Sequence, residues 1–246
     1  MPPPPTFDVR LARARMLTPQ VRELGFDRVD GATFDFQAGQ WVSLVLPLPE
    51  GEARRAYSIA SPPVGSPGFE VAITKVEGGP GSKYLHELPI GATVRAIGPQ
   101  GFFTRPRHPG GAGHPSLFVG TGTGVTPLWS MIRDALAAGE TTPMRLLFGV
   151  RYEADRLYRE ELEALEAKHP NFRASYSISR PGPDWTGDTG YVQTHVERLW
   201  RELEATGAGA PHVYICGLER MVGAVRDLVR KQMGVDRKRV HSERYD

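Results

Sequence analysis

The chain has 246 residues, 30 Lys plus Arg against 28 Asp plus Glu, and a formal net charge of +2. That balance excludes strong global attraction to nucleic acid or to an anionic membrane, and the length allows one large core or two modest ones, leaning towards two. The single cysteine, Cys216, excludes an intrachain disulfide and a cysteine-ligated iron–sulfur cluster, which needs several thiolates. Met1 is followed by four prolines, and no run of ~18 apolar residues occurs, so a cytoplasmic chain without membrane insertion is expected.

In chain order, the first half reads as short extended runs punctuated by Gly and Pro: Trp41 to Leu46, Arg55 to Ile59, Phe69 to Val76 and Ala92 to Ile97. This spacing predicts a small antiparallel barrel. A short helix is expected over Ser82 to Leu88, after Gly78-Gly79-Pro80-Gly81. The segment His108 to Pro115 holds little that could pack, which puts the domain boundary there: 1–112 and 113–246. Beyond it, apolar runs at Ser116 to Val119, Met144 to Val150, Phe172 to Ile178 and His212 to Cys216 alternate with amphipathic stretches at Pro127 to Ala138, Asp155 to Lys168, Tyr191 to Leu203 and Arg220 to Gln232. Such alternation predicts a parallel sheet covered by helices on both faces. The terminal run Val240 to Tyr245 is either a frayed tail or a strand, and as a strand it places Glu243 and Tyr245 on one face.

Two motifs carry chemistry. In Arg55-Ala56-Tyr57-Ser58, alternation puts Arg55, Tyr57 and Ile59 on one side of a strand with Ser58 opposite. Together they offer a guanidinium fork for a pyrophosphate, an aromatic face for a flat ring and a hydroxyl for a ring nitrogen, although an exposed Arg–Tyr pair is the plain alternative. Gly79-Pro80-Gly81-Ser82 adds amides at a helix start and a hydroxyl, a second phosphate cradle in which Ser82 also fits as an N-cap. The second motif, Gly120-Thr121-Gly122-Thr123-Gly124-Val125-Thr126-Pro127, follows an apolar strand and precedes an amphipathic helix. That is the context of a dinucleotide fingerprint, here with G-x-G-x-G spacing, and a tight strand-to-helix turn is the alternative. Ser179-Arg180 lies past a strand at the ligand-binding edge of such a sheet, where Arg180 could receive a ribose 2′-phosphate and Tyr191 could stack on adenine. Cys216-Gly217-Leu218 ends the last clear strand at the same edge, and a buried inert thiol is the commonest kind.

From Phe36-Gln37-Ala38-Gly39-Gln40 to Tyr245 the chain resembles the ferredoxin–NADP reductases of the plant-type flavoprotein reductase superfamily. Arg55-Ala56-Tyr57-Ser58-Ile59-Ala60-Ser61 resembles the family's flavin motif, Gly79 to Ser82 its second FAD-phosphate motif, Gly120 to Pro127 its pyridine-nucleotide motif, and Cys216-Gly217-Leu218 with Met221 its nicotinamide-side motif. The resemblance implies an N-terminal antiparallel Greek-key β-barrel binding FAD and a C-terminal Rossmann-like α/β parallel sheet binding NAD(P), with the two cofactors face to face. It implies that Arg55 binds the FAD pyrophosphate, that Tyr57 packs on the isoalloxazine and that Ser58 hydrogen-bonds near flavin N5. It places Cys216 beside the nicotinamide, matches Glu243 to a glutamate implicated in proton transfer, and matches Tyr245 to a tyrosine that covers the flavin until nicotinamide displaces it. Ala56, Ile73, Thr74 and Lys75 complete the flavin-side candidates. On the nucleotide side the candidates are Gly120, Thr121, Gly122, Gly124, Thr126, Pro127, Ser179, Arg180, Tyr191, Cys216, Gly217, Leu218 and Met221.

The sequence departs from the family's plastid members at three points. Thr189 stands where they carry a basic residue, the passage from Val76 to Gly81 is short where they carry an adenine-stacking tyrosine, and Asp246 follows the terminal tyrosine. The expected reaction is hydride transfer between NADP(H), or NAD(H), and FAD, then single-electron exchange with a ferredoxin or flavodoxin. Arg54, Lys83, Arg105 and Arg107 are candidates for a basic docking face. The alternatives are an NAD(P)H-dependent reductase component of a multicomponent oxygenase and a non-catalytic flavoprotein subunit. No metal site is expected, and a monomer is.

Overall fold

A computed structural model describes residues 4–108 and 113–245. The expected boundary at 112/113 falls at residues 109–112 and so lies outside the described residues, as does Asp246. The chain divides into two compact units, Met1–Arg105 with Trp129–Arg133, and Pro106–Leu128 with Asp134–Asp246.

The first unit holds strands β1 (Thr6–Thr18), β2 (Val21–Arg28), β3 (Trp41–Leu48), β4 (Gly51–Ser58), β5 (Gly68–Thr74) and β6 (Thr93–Gln100), with helix α1 (Pro80–Glu87) between β5 and β6. Its sheet runs β4-β3-β6-β1-β2-β5 with antiparallel pairing, so the last strand in sequence lies between β3 and β1 in Greek-key fashion. The two edges meet through the bridge Ile59↔Val71 and the Ala60 N–H donating to Glu70 O at 2.7 Å, which closes the barrel. Inward positions of successive strands, among them Val9, Leu11, Leu24, Phe26, Leu44, Leu46, Phe69 and Val71, form one buried cluster. Within it Phe26 and Phe34 tilt against Phe69 at ring distances of 5.8 and 5.0 Å.

Strands β1 and β2 are absent from the apolar runs legible in the sequence, and their composition shows why. The outward half of β1 is occupied by Arg10, Arg13 and Arg15, and β2 carries Glu23, buried and ion-paired with Arg15 at 2.6 Å. The apolar half alone, Phe7, Val9, Leu11 and Leu24, Phe26, faces the core.

The second unit alternates β7 (Ser116–Thr121), α2 (Val125–Ala137), β8 (Met144–Val150), α3 (Arg159–Lys168), β9 (Phe172–Ile178), β10 (Asp188–Thr189), α4 (Val196–Ala205), β11 (His212–Leu218), α5 (Glu219–Asp227) and β12 (Val240–Tyr245). Every pairing in the order β10-β9-β8-β7-β11-β12 is parallel. The chain winds outwards from β7 in one direction and then from β11 in the other, which makes their carboxyl ends the switch point where open α/β sheets bind ligands. Leu117, Val119, Leu147, Val213 and Ile215 pack with Val196, Leu199, Trp200 and Leu203 of α4 and Val222 and Val225 of α5. The α4 residues fall at i, i+3, i+4 and i+7, one helical face, and each such burial is worth about 1.5–3 kcal/mol.

The helix limits differ from the sequence expectation where local chemistry intervenes. Helix α2 starts at Val125, two residues before Pro127, because the 3-10 turn Gly122–Gly124 runs directly into it. Helix α3 starts at Arg159, since Glu153–Asp155 forms a separate 3-10 turn and Tyr158 takes a left-handed φ of 55°. Tyr191 lies outside α4, ahead of a 3-10 turn at Val192–Thr194. The run Val240–Tyr245 is a strand laddered to β11, which rules out the frayed tail.

At the amino-terminal edge of the same sheet, four rings form a two-layer tile. A His212 Nδ1···His241 Nε2 hydrogen bond of 3.1 Å makes one layer, and a His114 Nε2···Tyr214 hydroxyl bond of 2.9 Å makes the other. His114 stacks on His212 at 3.7 Å and Tyr214 on His241 at 4.6 Å, with His108 edge-on to His114 at 5.6 Å. Burial lowers the His241 pKa from its ordinary value.

Candidate functional site

In the first unit the flavin-side candidates gather around β4 and the start of α1. A Cβ placed on Gly81 would stand 3.3 Å from Arg55 Cγ, 3.4 Å from Leu46 Cδ1 and 3.5 Å from Arg55 Nε. The missing side chain therefore lets the Arg55 stem and guanidinium lie against the first turn of α1, whose amides have no intrahelical partner. A guanidinium beside helix-start amides is a fitting cradle for a pyrophosphate. Arg55 and Ala56 are exposed, and Arg55 Nη1 donates to Arg54 O at 2.9 Å.

Ser82 is the third residue of α1 and Gly79 is the N-cap, so the N-cap alternative for Ser82 does not hold. Its hydroxyl accepts from the Val76 N–H at 3.0 Å and donates to Gly79 O at 3.0 Å. It thereby closes the short Val76–Gly81 passage that shapes the cradle. Tyr57 packs half-buried on the barrel core, and that burial pushes its phenol up to about 12, with Arg55 opposing. Burial does not alternate along this stretch as expected: Arg54, Arg55 and Ala56 are all exposed, Tyr57 is half-buried, and Ser58, Ile59, Ala60 and Ser61 are all buried where the chain crosses to β5. Of the β5 candidates, Ile73 places its side chain in the barrel core, whereas Thr74 and Lys75 are exposed and the Lys75 N–H donates to Gln20 O at 2.7 Å.

In the second unit the glycine motif is a strand end, a 3-10 turn at Gly122–Gly124 and the start of α2. Its three glycines have different duties. A Cβ on Gly120 would meet Leu128 Cδ1 at 3.0 Å and Val125 Cα at 3.2 Å, so Gly120 sets the strand-to-helix packing. Gly122 takes a left-handed φ of 53° with open space around it. A Cβ on Gly124 would strike Cys216 O and stand 2.6 Å from Gly217 Cα, and one on Gly217, itself at φ +149°, would strike Thr121 Oγ1. The turn after β7 is thus pressed backbone to backbone against the carboxyl end of β11. Met221, near the start of α5, closes over Gly217, where a Cβ would meet its Cε at 2.8 Å. Thr121 Oγ1 and Thr126 Oγ1 are buried atoms with no hydrogen-bond partner among the described residues. Pro127, within the first turn of α2, has no N–H to leave unsatisfied. Orphaned hydroxyls beside first-turn amides fit the phosphates and sugar of a dinucleotide.

Next to this turn the register of β11 and β12 sets Cys216 opposite Glu243 and Leu218 opposite Tyr245. Cys216 is fully buried, and that burial pushes its thiol far up. The nearby Glu243 charge adds to the shift, while hydrogen bonding from Tyr245 and the Gly217 backbone offsets a part of it. The sulfur is therefore a neutral, shielded thiol, and three of the four proposed catalytic residues come together in this unit. Ser58 belongs to the first unit, where it is buried. Leu218 is exposed at the same strand end.

At the carboxyl ends of β8 and β9, the Ser179 N–H donates to Val150 O at 3.0 Å and the Arg180 N–H to Arg151 O at 2.9 Å. Arg180 is exposed, and its Nη1 donates to the Tyr152 hydroxyl at 3.2 Å, the main cause of a raised guanidinium pKa to which Tyr191 also contributes. Tyr191 is 66% exposed. Thr189 lies in β10 and accepts a bond from the His195 ring through its carbonyl at 2.9 Å. Sequence reasoning missed Arg151 and Tyr152. The available signal was their position immediately after an apolar strand, the same argument that singled out Ser179 and Arg180.

The basic docking set needs correction. Arg54 and Lys83 are exposed, but Arg105 is only 5% exposed and Arg107 is paired with Asp134 at 3.1 Å. A buried guanidinium has no surface to offer a partner. Among the described residues, no helix is long and apolar enough to cross a membrane, and no group of three or more His, Cys, Asp or Glu is placed to hold a metal ion.

Comparison with known proteins agrees with this division of labour. Residues 8–104 match the family described as oxidoreductase FAD-binding domain, and residues 118–227 the one described as oxidoreductase NAD-binding domain. The chain is 59% identical over 241 residues to ferredoxin–NADP reductase B of Sorangium cellulosum (strain So ce56), covering 98% of each. It is 32% identical to the ferredoxin–NAD(P)(+) reductase component of the naphthalene 1,2-dioxygenase/salicylate 5-hydroxylase systems of a Ralstonia species, covering 98% of this chain and 65% of that longer protein. A crystal structure of a mutant Plasmodium falciparum ferredoxin–NADP+ reductase with 2′P-AMP shares the fold at a TM-score of 0.80 and 24% identity, over 98% of this chain and 96% of that one. A likeness of that extent, running through both units, places the chain in the ferredoxin–NADP reductase family.

Proposed function

We propose that the chain is an FAD-dependent oxidoreductase that passes a hydride between NADP(H) and FAD and single electrons between FAD and a ferredoxin or flavodoxin. The observation that supports the proposal is that each unit has a glycine-dependent close approach beside a helix start: Arg55 lying against Gly81 in one, Gly124 pressed on Cys216 and Gly217 in the other. Bound FAD supplies the conversion between two-electron and one-electron chemistry.

The chain's residues supply binding and orientation. Arg55 and the first turn of α1 hold the flavin pyrophosphate, and Tyr57, held neutral by burial, gives an aromatic face without adding charge. Thr121, Thr126 and the start of α2 receive the nicotinamide dinucleotide, while Arg180 with Tyr191 takes the adenosine end. Cys216 offers the nicotinamide an uncharged, polarisable wall, Glu243 is the carboxyl assigned to proton handling, and Ser58 is assigned a hydrogen bond near flavin N5. Ala56, Thr74, Lys75 and Leu218 are kept as contacts of the bound cofactors, and Ile73 as a backbone contact. The domain limits 1–112 and 113–246, a monomeric state and a cytoplasmic location belong to the same proposal.

The second reading, the reductase component of a multicomponent oxygenase, is favoured by the 32% identity to the Ralstonia reductase component. The test is to reduce the holoenzyme with NADPH and compare how fast a ferredoxin, a flavodoxin and a Rieske protein reoxidise it. Fastest reoxidation by a ferredoxin or flavodoxin supports the proposal, and fastest reoxidation by the Rieske protein establishes the second reading.

A further inference from the structure

Strands β8 and β9 end side by side, and the loops that leave them are laced together by the Ser179 N–H to Val150 O and Arg180 N–H to Arg151 O bonds. This lacing delivers the Arg180 guanidinium to the Tyr152 hydroxyl. The Tyr152 backbone is itself held in a turn. Its N–H donates to Asp155 Oδ2 at 3.0 Å, the Asp155 N–H returns to Tyr152 O at 3.0 Å, and Arg156 Nε donates to Glu153 O at 2.9 Å. Arg156 in turn lies over the Tyr176 and Trp185 rings at 5.2 and 5.5 Å, so the turn that carries Tyr152 is tied into the sheet.

An exposed arginine on a loop samples many rotamers, and ordering it to bind a ligand costs entropy. A phenol is well suited to reduce that cost. It accepts one of the five guanidinium N–H bonds and leaves the others for a bidentate contact. Unlike a carboxylate, it also carries no charge that would compete with an incoming anion. Tyr152 is 46% exposed, so its oxygen holds Arg180 at the surface where a ligand arrives.

We propose that Tyr152 is a positioning residue that preorients Arg180 for the ribose 2′-phosphate, so that discrimination of NADPH from NADH depends on the Tyr152 phenolic oxygen. The inference rests on the reading of Arg180 as the 2′-phosphate ligand. Tyr152→Phe keeps the ring and removes only the oxygen, which separates hydrogen bonding from stacking.

The experiment uses FAD-loaded wild type, Tyr152→Phe, Arg180→Ala and the double variant. It measures the NADPH-over-NADH ratio of kcat/KM, and binding of 2′-AMP against 5′-AMP by calorimetry. Loss of one solvent-exposed hydrogen bond is expected to lower the ratio and the 2′-AMP preference about threefold to tenfold in Tyr152→Phe. The double variant should be no less selective than Arg180→Ala alone, because the oxygen acts through that guanidinium. An unchanged ratio in Tyr152→Phe, with selectivity lost in Arg180→Ala, overturns the role of Tyr152 and leaves Arg180 standing. An unchanged ratio in Arg180→Ala overturns the reading beneath it. Additive losses in the double variant overturn positioning in favour of a direct contact.

Discussion

Cys216 and Glu243 stand directly opposite each other across the parallel β11–β12 ladder, with the thiol fully buried and its pKa driven up by burial and then by the carboxylate. A thiol in that environment is not a nucleophile. In the folded protein, alkylation of Cys216 should therefore be at least about 100-fold slower than in the denatured chain, because it requires local opening. Mass spectrometry after timed iodoacetamide labelling checks this, and rapid labelling of the native protein would show that the thiol is exposed or ionised.

The contact of Arg55 with Gly81 makes flavin retention sensitive to both residues. Arg55→Ala removes charge-assisted hydrogen bonds to a pyrophosphate and should weaken FAD binding about tenfold to a hundredfold. Gly81→Val fills the space the guanidinium stem uses and should give protein purified largely without flavin. Fluorescence titration of the flavin-free protein reads both effects, and unchanged affinity in both variants would remove the cradle from this end of the barrel.

Gly124→Ala sets a methyl group against the Cys216 carbonyl, backbone against backbone, where no flexible side chain can give way. The variant should keep its FAD, since that cradle lies in the other unit, yet lose at least about tenfold in NADPH affinity as the two turns separate. Equal loss of flavin and nucleotide binding would mean general unfolding.

The ring tile gives stability a defined pH dependence. Burial lowers the His241 pKa below its ordinary 6.5, so the folded state favours the neutral ring that the His212 bond and the Tyr214 stack accommodate. A depressed histidine contributes stability that is complete above pH 6.5 and is lost as pH falls through the lower folded value. Thermal midpoints should accordingly hold above that pH and decline below it, before most carboxylates titrate. His241→Gln should flatten the decline in that window, and an equally steep loss in the variant would assign it to other groups.

Much of this architecture is legible in residue order alone. The alternation of apolar runs with amphipathic stretches after Pro115 specifies the parallel sheet, because each such run must be buried on both faces. The Arg55–Ser58 and Gly120–Pro127 motifs were legible because the close approaches of Arg55 to Gly81 and of Gly124 to Cys216 demand glycine at fixed places. Strands β1 and β2 were not, since arginines alternate with their core residues and Glu23 pairs with Arg15, eight positions away. Arg105 read as a surface charge because nothing local reports its burial, and Tyr152 escaped notice because its meaning comes from Arg180, brought beside it by the β8–β9 pairing.

The most direct test of the central claim is anaerobic rapid mixing of the FAD-loaded protein with NADPH, following the flavin's visible absorption. NADPH should bleach the flavin of the wild type, and should bleach that of Gly124→Ala, with its flavin in place, at least about tenfold more slowly at subsaturating NADPH. A flavin that NADPH and NADH both leave fully oxidised would contradict hydride transfer by this chain.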